Sequence, residues 1–310
     1  MSISPVCVGI DVSKAHLDIF DPLEGSSRID NTTSAVTVFA ATQLVRGRFV
    51  VFEATGGYDR ALRRGLEAAG VPHARVNPEQ ARDFARALGR RAKTDAIDAR
   101  MLADFGRALT PNPRPPSDLA RESLALRHKR RDQLVAMRQQ EVVRRSECPD
   151  AAMADSLARH IAWLDREIEA LNADIRAAIA ADDALRAADR RLRSVPGVGP
   201  VAAATMLALM PELGQRSPKA IAALVGLAPF NNDSGKRHGQ RMIRGGRARV
   251  RRALYMAALS AANSKTRLGD FARKLRAAGK PPKLVLIALA RKIIVILNAI
   301  CRDNASFACQ

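Results

Sequence analysis

Apolar residues recur along this chain with two periods, and each change of period marks a change of structure. In residues 5–109, runs of strand length, VCVGIDV (6–12), HLDIF (16–20) and FVVFEA (49–54), are rich in β-branched and aromatic residues. Helical patterns stand between and after them at 34–45, 58–69, 78–88 and 94–108. Two early strands joined by a tight turn, followed by alternating strand and helix, predict a mixed sheet with helices on its faces. PNPRPPS (111–117) closes this region, because proline removes amide donors and biases its predecessor away from helix.

From 119 to 193 nearly every residue is a helix former, and Leu157, Ile161, Leu164, Ile168, Leu171 and Ile175 recur at spacings of three and four. That seam is heptad-like. Cys148, Pro149 and Asp150 interrupt the run, which predicts two antiparallel helices, with the seam serving either packing inside the pair or self-association. At Ser194 the character changes again. SVPGVGPVAAATMLALM (194–210) is a glycine-rich turn opening a small-residue helix. It suits half of a helix-hairpin-helix whose amides meet a phosphate, and equally a tight turn that lets helices pack closely. Helices at 252–262 and 283–300 complete an all-α C-terminal region.

Charge changes the picture. In 310 residues, 51 Lys and Arg face 31 Asp and Glu, a formal +20 that favours a polyanionic partner. General use of arginine as a solvated charge would give the same excess. The cations concentrate in NNDSGKRHGQRMIRGGRARVRR (231–252), where Lys236, Arg237, Arg241, Arg244 and Arg247 lead a series opposed only by Asp233. One Trp, two Tyr and nine Phe leave little for base stacking, so backbone contacts are expected. Cys7, Cys148, Cys301 and Cys309 have no zinc spacing and no disulfide framework, which fits a reducing cytoplasm. MSISPVCVGIDVSK lacks a secretory pattern, and the apolar 284–300 is interrupted by Arg291 and Lys292, so a buried helix rather than a membrane span is expected.

Four acids carry the candidate chemistry. Asp11 ends an apolar strand and Glu53 ends another, where a carboxylate is costly unless compensated. Asp95 and Asp98 stand three apart in KTDAIDA and share a helix face. Converging, the four would offer hard oxygen ligands to two Mg²⁺ ions about 4 Å apart, an arrangement suited to in-line phosphoryl displacement. Each acid also has an ordinary use: Asp95 as an N-cap, Asp98 as a first-turn anion, Asp11 accepting the amides of Ser13 and Lys14, and Glu53 pairing with an arginine.

GIDVSK, EATGGYDR and KTDAIDA, in that order, resemble the RuvC-like domain of the DEDD transposases of bacterial insertion sequences, the family that includes Piv-type invertases and bridge-RNA-guided recombinases. SVPGVGPVAAATMLA, ALVGLAPFNNDSGKRHG, RMIRGG and RRALYMAA resemble that family's C-terminal transposase domain, so the likeness spans nearly the whole chain. It implies an RNase H-like (RuvC-like) domain over 1–117, an antiparallel coiled-coil hairpin over 118–193, and a helical transposase domain over 194–310. It places the family's acids on Asp11, Glu53, Asp95 and Asp98 and its nucleophilic serine on Ser234, which without the likeness reads as a turn serine before glycine. The implied activity is strand exchange through a covalent phosphoserine-DNA intermediate, dependent on Mg²⁺ with Mn²⁺ able to substitute. The implied partners are donor and target DNA, a structured bridge RNA and further copies of the chain as dimer or tetramer, in the bacterial cytoplasm and away from any membrane. With nucleophile and acids on separate domains, the catalytic site is expected to be composite. Two alternatives remain at this stage: a RuvC-like nuclease using water, and a basic nucleic-acid-binding protein whose acids are structural.

Overall fold

The computed structural model describes residues 6–54, 56–89, 95–113, 118–230 and 242–307. It is mixed α/β and mostly helical, and packing divides it into two compact units, Met1–Ser117 and Asp118–Gln310.

The first unit is built on a five-stranded sheet in the order β3-β2-β1-β4-β5. Strands β1 (Cys7–Val12), β2 (His16–Asp21) and β3 (Gly25–Asp30) form an antiparallel meander, while β4 (Phe49–Glu53) and β5 (His73–Val76) run parallel to β1. Alternation sorts the side chains between two faces. Val8, Ile10, Val50 and Phe52 pack with α1 (Thr33–Val45) and α2 (Arg60–Ala69), where Val36, Phe39, Leu62 and Leu66 are buried. Cys7, Phe49 and Val51 face α3 (Pro78–Ala87) and α4 (Asp95–Leu109), which contribute Ala81, Met101, Leu102 and Phe105. Thr32 caps α1 by accepting the Ala35 amide.

The second unit opens with α5 (Leu119–Glu147) and α6 (Ala151–Ala181). Arg138 meets Asp165 and Arg131 meets Asn172, so the two run antiparallel. In the α6 seam Ile161, Leu164 and Ile175 are buried, while Leu157, Ile168 and Leu171 are half-buried. Asp182 caps α7 (Asp183–Arg193), which ends at the glycine turn before α8 (Pro200–Leu209). A Cβ on Gly197 would lie 2.3 Å from the Ala257 carbonyl oxygen, so this turn lets α8 and α10 (Ala248–Ala261) approach closely. With α9 (Pro218–Leu224), α11 (Arg267–Ala277) and α12 (Pro282–Asp303), these helices share one core. By length and composition α12 could cross a membrane. Here Val285, Leu289, Ile293, Ile294 and Leu297 bury its apolar face in that core.

Candidate active site

Strand register brings the first two acids together. β1 and β4 pair in parallel through Ile10↔Phe52, and one further residue sets Asp11 beside Glu53 on neighbouring strands, about 5 Å apart. Both are half-buried and both point to the face that carries Cys7 and Val51, the face covered by α4.

Helix α4 brings the other pair to the same edge. A Cβ on Gly9 would fall 2.0 Å from the Ala99 carbonyl oxygen and 2.4 Å from the Ala103 amide, so the helix lies directly on the strand there. One level down, a Cβ on Gly106 would touch Val51 and Cys7, at 2.7 and 3.1 Å. Thus α4 runs antiparallel to β1, and its N-terminus points toward Asp11. From Gly9, Asp11 lies about 7 Å along the strand. From Met101, above Gly9, Asp98 and Asp95 lie about 5 and 9 Å back along the helix. Half-buried Asp98 therefore comes to the edge holding Asp11 and Glu53. Asp95 is the first residue of α4, and its side chain lies outside the described residues.

Sequence reasoning missed three residues that shape this edge, in two roles. Asp18 pairs directly across from Asp11 in the β1–β2 ladder, a like-charge juxtaposition that destabilises a sheet. Arg28 on β3 neutralises Asp18 through two hydrogen bonds, of 2.9 and 3.1 Å. Asn31 donates from Nδ2 to the carbonyls of Ser13, at 2.8 Å, and Tyr58, at 2.9 Å. It therefore ties the loop after Asp11 to the loop after Glu53. Neither role has a motif; each needs the strand order to be known.

Ser234, Lys236, Arg237 and Arg241 lie outside the described residues. The segment that carries them leaves and returns through a two-stranded pairing, with β6 (Pro229–Phe230) antiparallel to β7 (Met242–Ile243), so its ends are held together. Arg251 steadies the return by donating to the Gly245 carbonyl at 2.5 Å. Arg244 is exposed. Arg247 differs from the sequence expectation: its guanidinium is engaged within the unit by both Glu212 carboxylate oxygens, at 2.7 and 2.6 Å, and by the Leu209 carbonyl at 2.6 Å. It clasps α8 to α10 instead of standing free for a phosphate.

No set of three or more His, Cys, Asp and Glu side chains among the described residues is close enough to hold an ion. Asp11, Glu53 and Asp98 each make an interaction inside the fold. The donor set at the edge is nonetheless all carboxylate oxygen, half-buried and on one face, which is the chemistry a hard divalent cation takes.

Known proteins match this chain in two regions. Residues 8–148 match a transposase model of the IS110-type DEDD class, and residues 189–273 match the transposase IS116/IS110/IS902 family. Over 267 residues the chain is 28% identical to the pilin gene-inverting protein of Moraxella lacunata, covering 83% of this chain and 81% of that one. Over 178 residues it is 33% identical to a protein of insertion element IS116 from Streptomyces clavuligerus, covering 56% and 43% respectively. Among solved structures, T. thermophilus RuvC in complex with a Holliday junction substrate matches at 17% identity over 36% of this chain and 100% of that one. Its TM-score of 0.27 is too low for a shared fold to follow. The two matched regions define a transposase or recombinase, a class of enzyme that cuts and rejoins DNA. Both matches are to transposases of the IS110 type, over two separate regions of the chain.

Proposed function

We propose that this chain moves an insertion sequence by metal-dependent strand exchange, with Asp11, Glu53, Asp95 and Asp98 as the acidic site of a RuvC-like first unit and Ser234 as nucleophile. The observation that carries the reading is the seating of α4 on Gly9, which turns the start of that helix toward the sheet edge that bears Asp11 and Glu53. The four acids would hold two Mg²⁺ ions, and when bound these supply positive charge against the oxyanions that develop during phosphoryl transfer. Ser234 Oγ attacks a DNA phosphorus, forming the phosphoserine ester as the P–O3′ bond breaks. The hydroxyl proton passes to a base, and the 3′ oxygen leaves with the bonding pair and takes up a proton. In the joining step a 3′ hydroxyl displaces the serine by the reverse course. The +20 charge favours DNA and a structured guide RNA as partners, and Leu157, Ile168 and Leu171, the half-buried members of the α6 seam, leave apolar surface for self-association.

Purified protein, Mg²⁺, RNA from the element's flank and labelled donor and target DNA test this on a denaturing gel, run with and without protease. A protease-sensitive shifted band, lost in Ser234→Ala and in Asp11→Ala, is expected. Free nicked ends without an adduct would replace Ser234 by water and leave a RuvC-like nuclease.

A further inference from the structure

A second feature opens at the same sheet edge, on the opposite face from α4. A groove of 540 Å³ lies between the start of α1, the start of α2 and the β1–β2 turn, lined in part by Lys14, Thr33, Thr37, Tyr58, Arg60 and Arg64. We propose that this groove seats the phosphodiester backbone of the DNA strand that runs past the carboxylate edge, a step that rests on the functional reading above.

Charge points the same way from three sides. None of the described residues lining the groove is acidic. Lys14, Arg60 and Arg64 have no ion-pair partner among the described residues, whereas Arg63 and Arg75 of the same region are paired with Glu67 and Asp59. Arg60 and Arg64 stand four apart on α2, where unneutralised like charges cost helix stability, a cost that an anion bound between them would remove. Thr33 and Arg60 are the first residues of α1 and α2, so two helix N-termini bring their positive dipole ends to the groove.

Position makes the occupant a strand and not a free anion. Lys14 follows Asp11 by three residues, and Tyr58 follows Glu53 by five. Asn31 bridges the Ser13 and Tyr58 carbonyls, so the groove and the acids are built on the same two loops. The walls are also set closely: a Cβ on Gly65 would meet Val36 Cγ1 at 2.4 Å, which fixes α2 against α1 beside the groove. A phosphate held by Lys14 and Arg64 places neighbouring nucleotides along the edge toward Asp11. The cations then supply position and affinity without reading sequence.

Binding is measured with full-length protein in EDTA, so that no cleavage is required, by fluorescence anisotropy of short labelled single-stranded DNA, duplex DNA and RNA across a salt series. In the Lys14→Gln/Arg60→Gln/Arg64→Gln variant, DNA affinity is expected to fall and the log–log salt slope to shrink by about two to three, at about 0.7–0.9 per lost phosphate contact. Thr37→Trp fills the groove without changing charge and is expected to weaken DNA binding as well. Unchanged slope in the triple variant overturns the proposal. So does a triple-variant loss that Thr37→Trp does not share, because that outcome means diffuse attraction rather than a seated strand. A loss confined to RNA overturns DNA as the occupant. Adduct formation is scored separately with Mg²⁺: an adduct with normal binding by both variants sinks the groove alone, and lost binding without any wild-type adduct sinks the functional reading alone.

Discussion

Gly9 and Ala99 meet with no room for a methyl group between them, the Ala99 carbonyl oxygen standing 2.0 Å from where a Gly9 Cβ would be. This one approach sets how far the α4 acids reach over the strand that carries Asp11. Gly9→Ala must push α4 away, and overpacking of this kind costs about 1–3 kcal/mol. The larger effect is expected on chemistry, since misplacing a catalytic group by about 1 Å can cost about 100-fold in rate. Thermal melting and the strand-cleavage gel together check this. A variant with wild-type cleavage would show that α4 does not set the site.

Arg28 is expected to matter although no motif contains it. Its guanidinium neutralises Asp18, whose side chain is only 13% exposed and stands across the ladder from Asp11. Arg28→Ala leaves that carboxylate buried without its donor, at a cost of about 1–3 kcal/mol. Adding Asp18→Asn removes the stranded charge and is expected to recover much of the loss. A double variant as unstable as the single, in urea titration, would mean that Arg28 acts through something other than Asp18.

The sheet was legible where apolar alternation was strong and silent where it was weak. β1, β2 and β4 are buried runs, and each falls where the pattern places it. β3, GSSRID, is an exposed edge strand with no apolar face, and β5 is four residues long, so neither rises above the background of polar residues. Helices α1 to α4 were legible to within two residues, whereas α9 and α11 were not. The seven residues of α9 are too few for a period, and RLGDFARKLRA of α11 buries only Leu268, Gly269 and Ala272. The carboxylates were readable as motifs, but their common edge depends on Gly9 meeting α4, a tertiary contact no local pattern encodes. Arg247 misled for the same reason: a basic run does not reveal that Glu212, 35 residues earlier, occupies one of its members.

A pH dependence is expected from His128. Its Nε2 lies 2.7 Å from Thr205 Oγ1, and because that hydroxyl donates to the Val201 carbonyl, the ring must be the donor. Nδ1 is then bare and accepts from Arg249 Nη2 at 3.1 Å. Burial holds the imidazole below its ordinary value. Asp132 pulls upward, and the Arg249 and Arg131 charges reinforce the lowering. A depressed histidine contributes stability above its unfolded pKa of about 6.5, and that stability is lost as pH falls from there toward the folded value. The slope for one proton is at most about 1.4 kcal/mol per pH unit. Urea midpoints between neutral and mildly acid pH should fall more steeply for the wild type than for His128→Gln; parallel curves would remove His128 as the cause.

Arg244 and Arg247 lie three residues apart in one basic run and are expected to fail in opposite assays. Arg247 is bound by Glu212 and Leu209. Burial pushes the Glu212 carboxyl up, but the Arg247 hydrogen bonds and charge outweigh it and leave the group below its ordinary value. That stability is present above the usual glutamate pKa and lost as pH falls through the lowered one. Arg247→Ala therefore costs about 1–3 kcal/mol by leaving Glu212 half-buried without its partner. It is also expected to flatten the acid limb of the stability curve and to leave the salt slope of DNA binding in place. Exposed Arg244 has no such partner among the described residues. Its alanine variant is expected to melt within about 0.5 kcal/mol of wild type, yet lose about one unit of salt slope on DNA. If Arg247→Ala lost the slope and kept its stability, the clasp would be the wrong account of that side chain, and the cation would belong with those that meet the phosphate backbone.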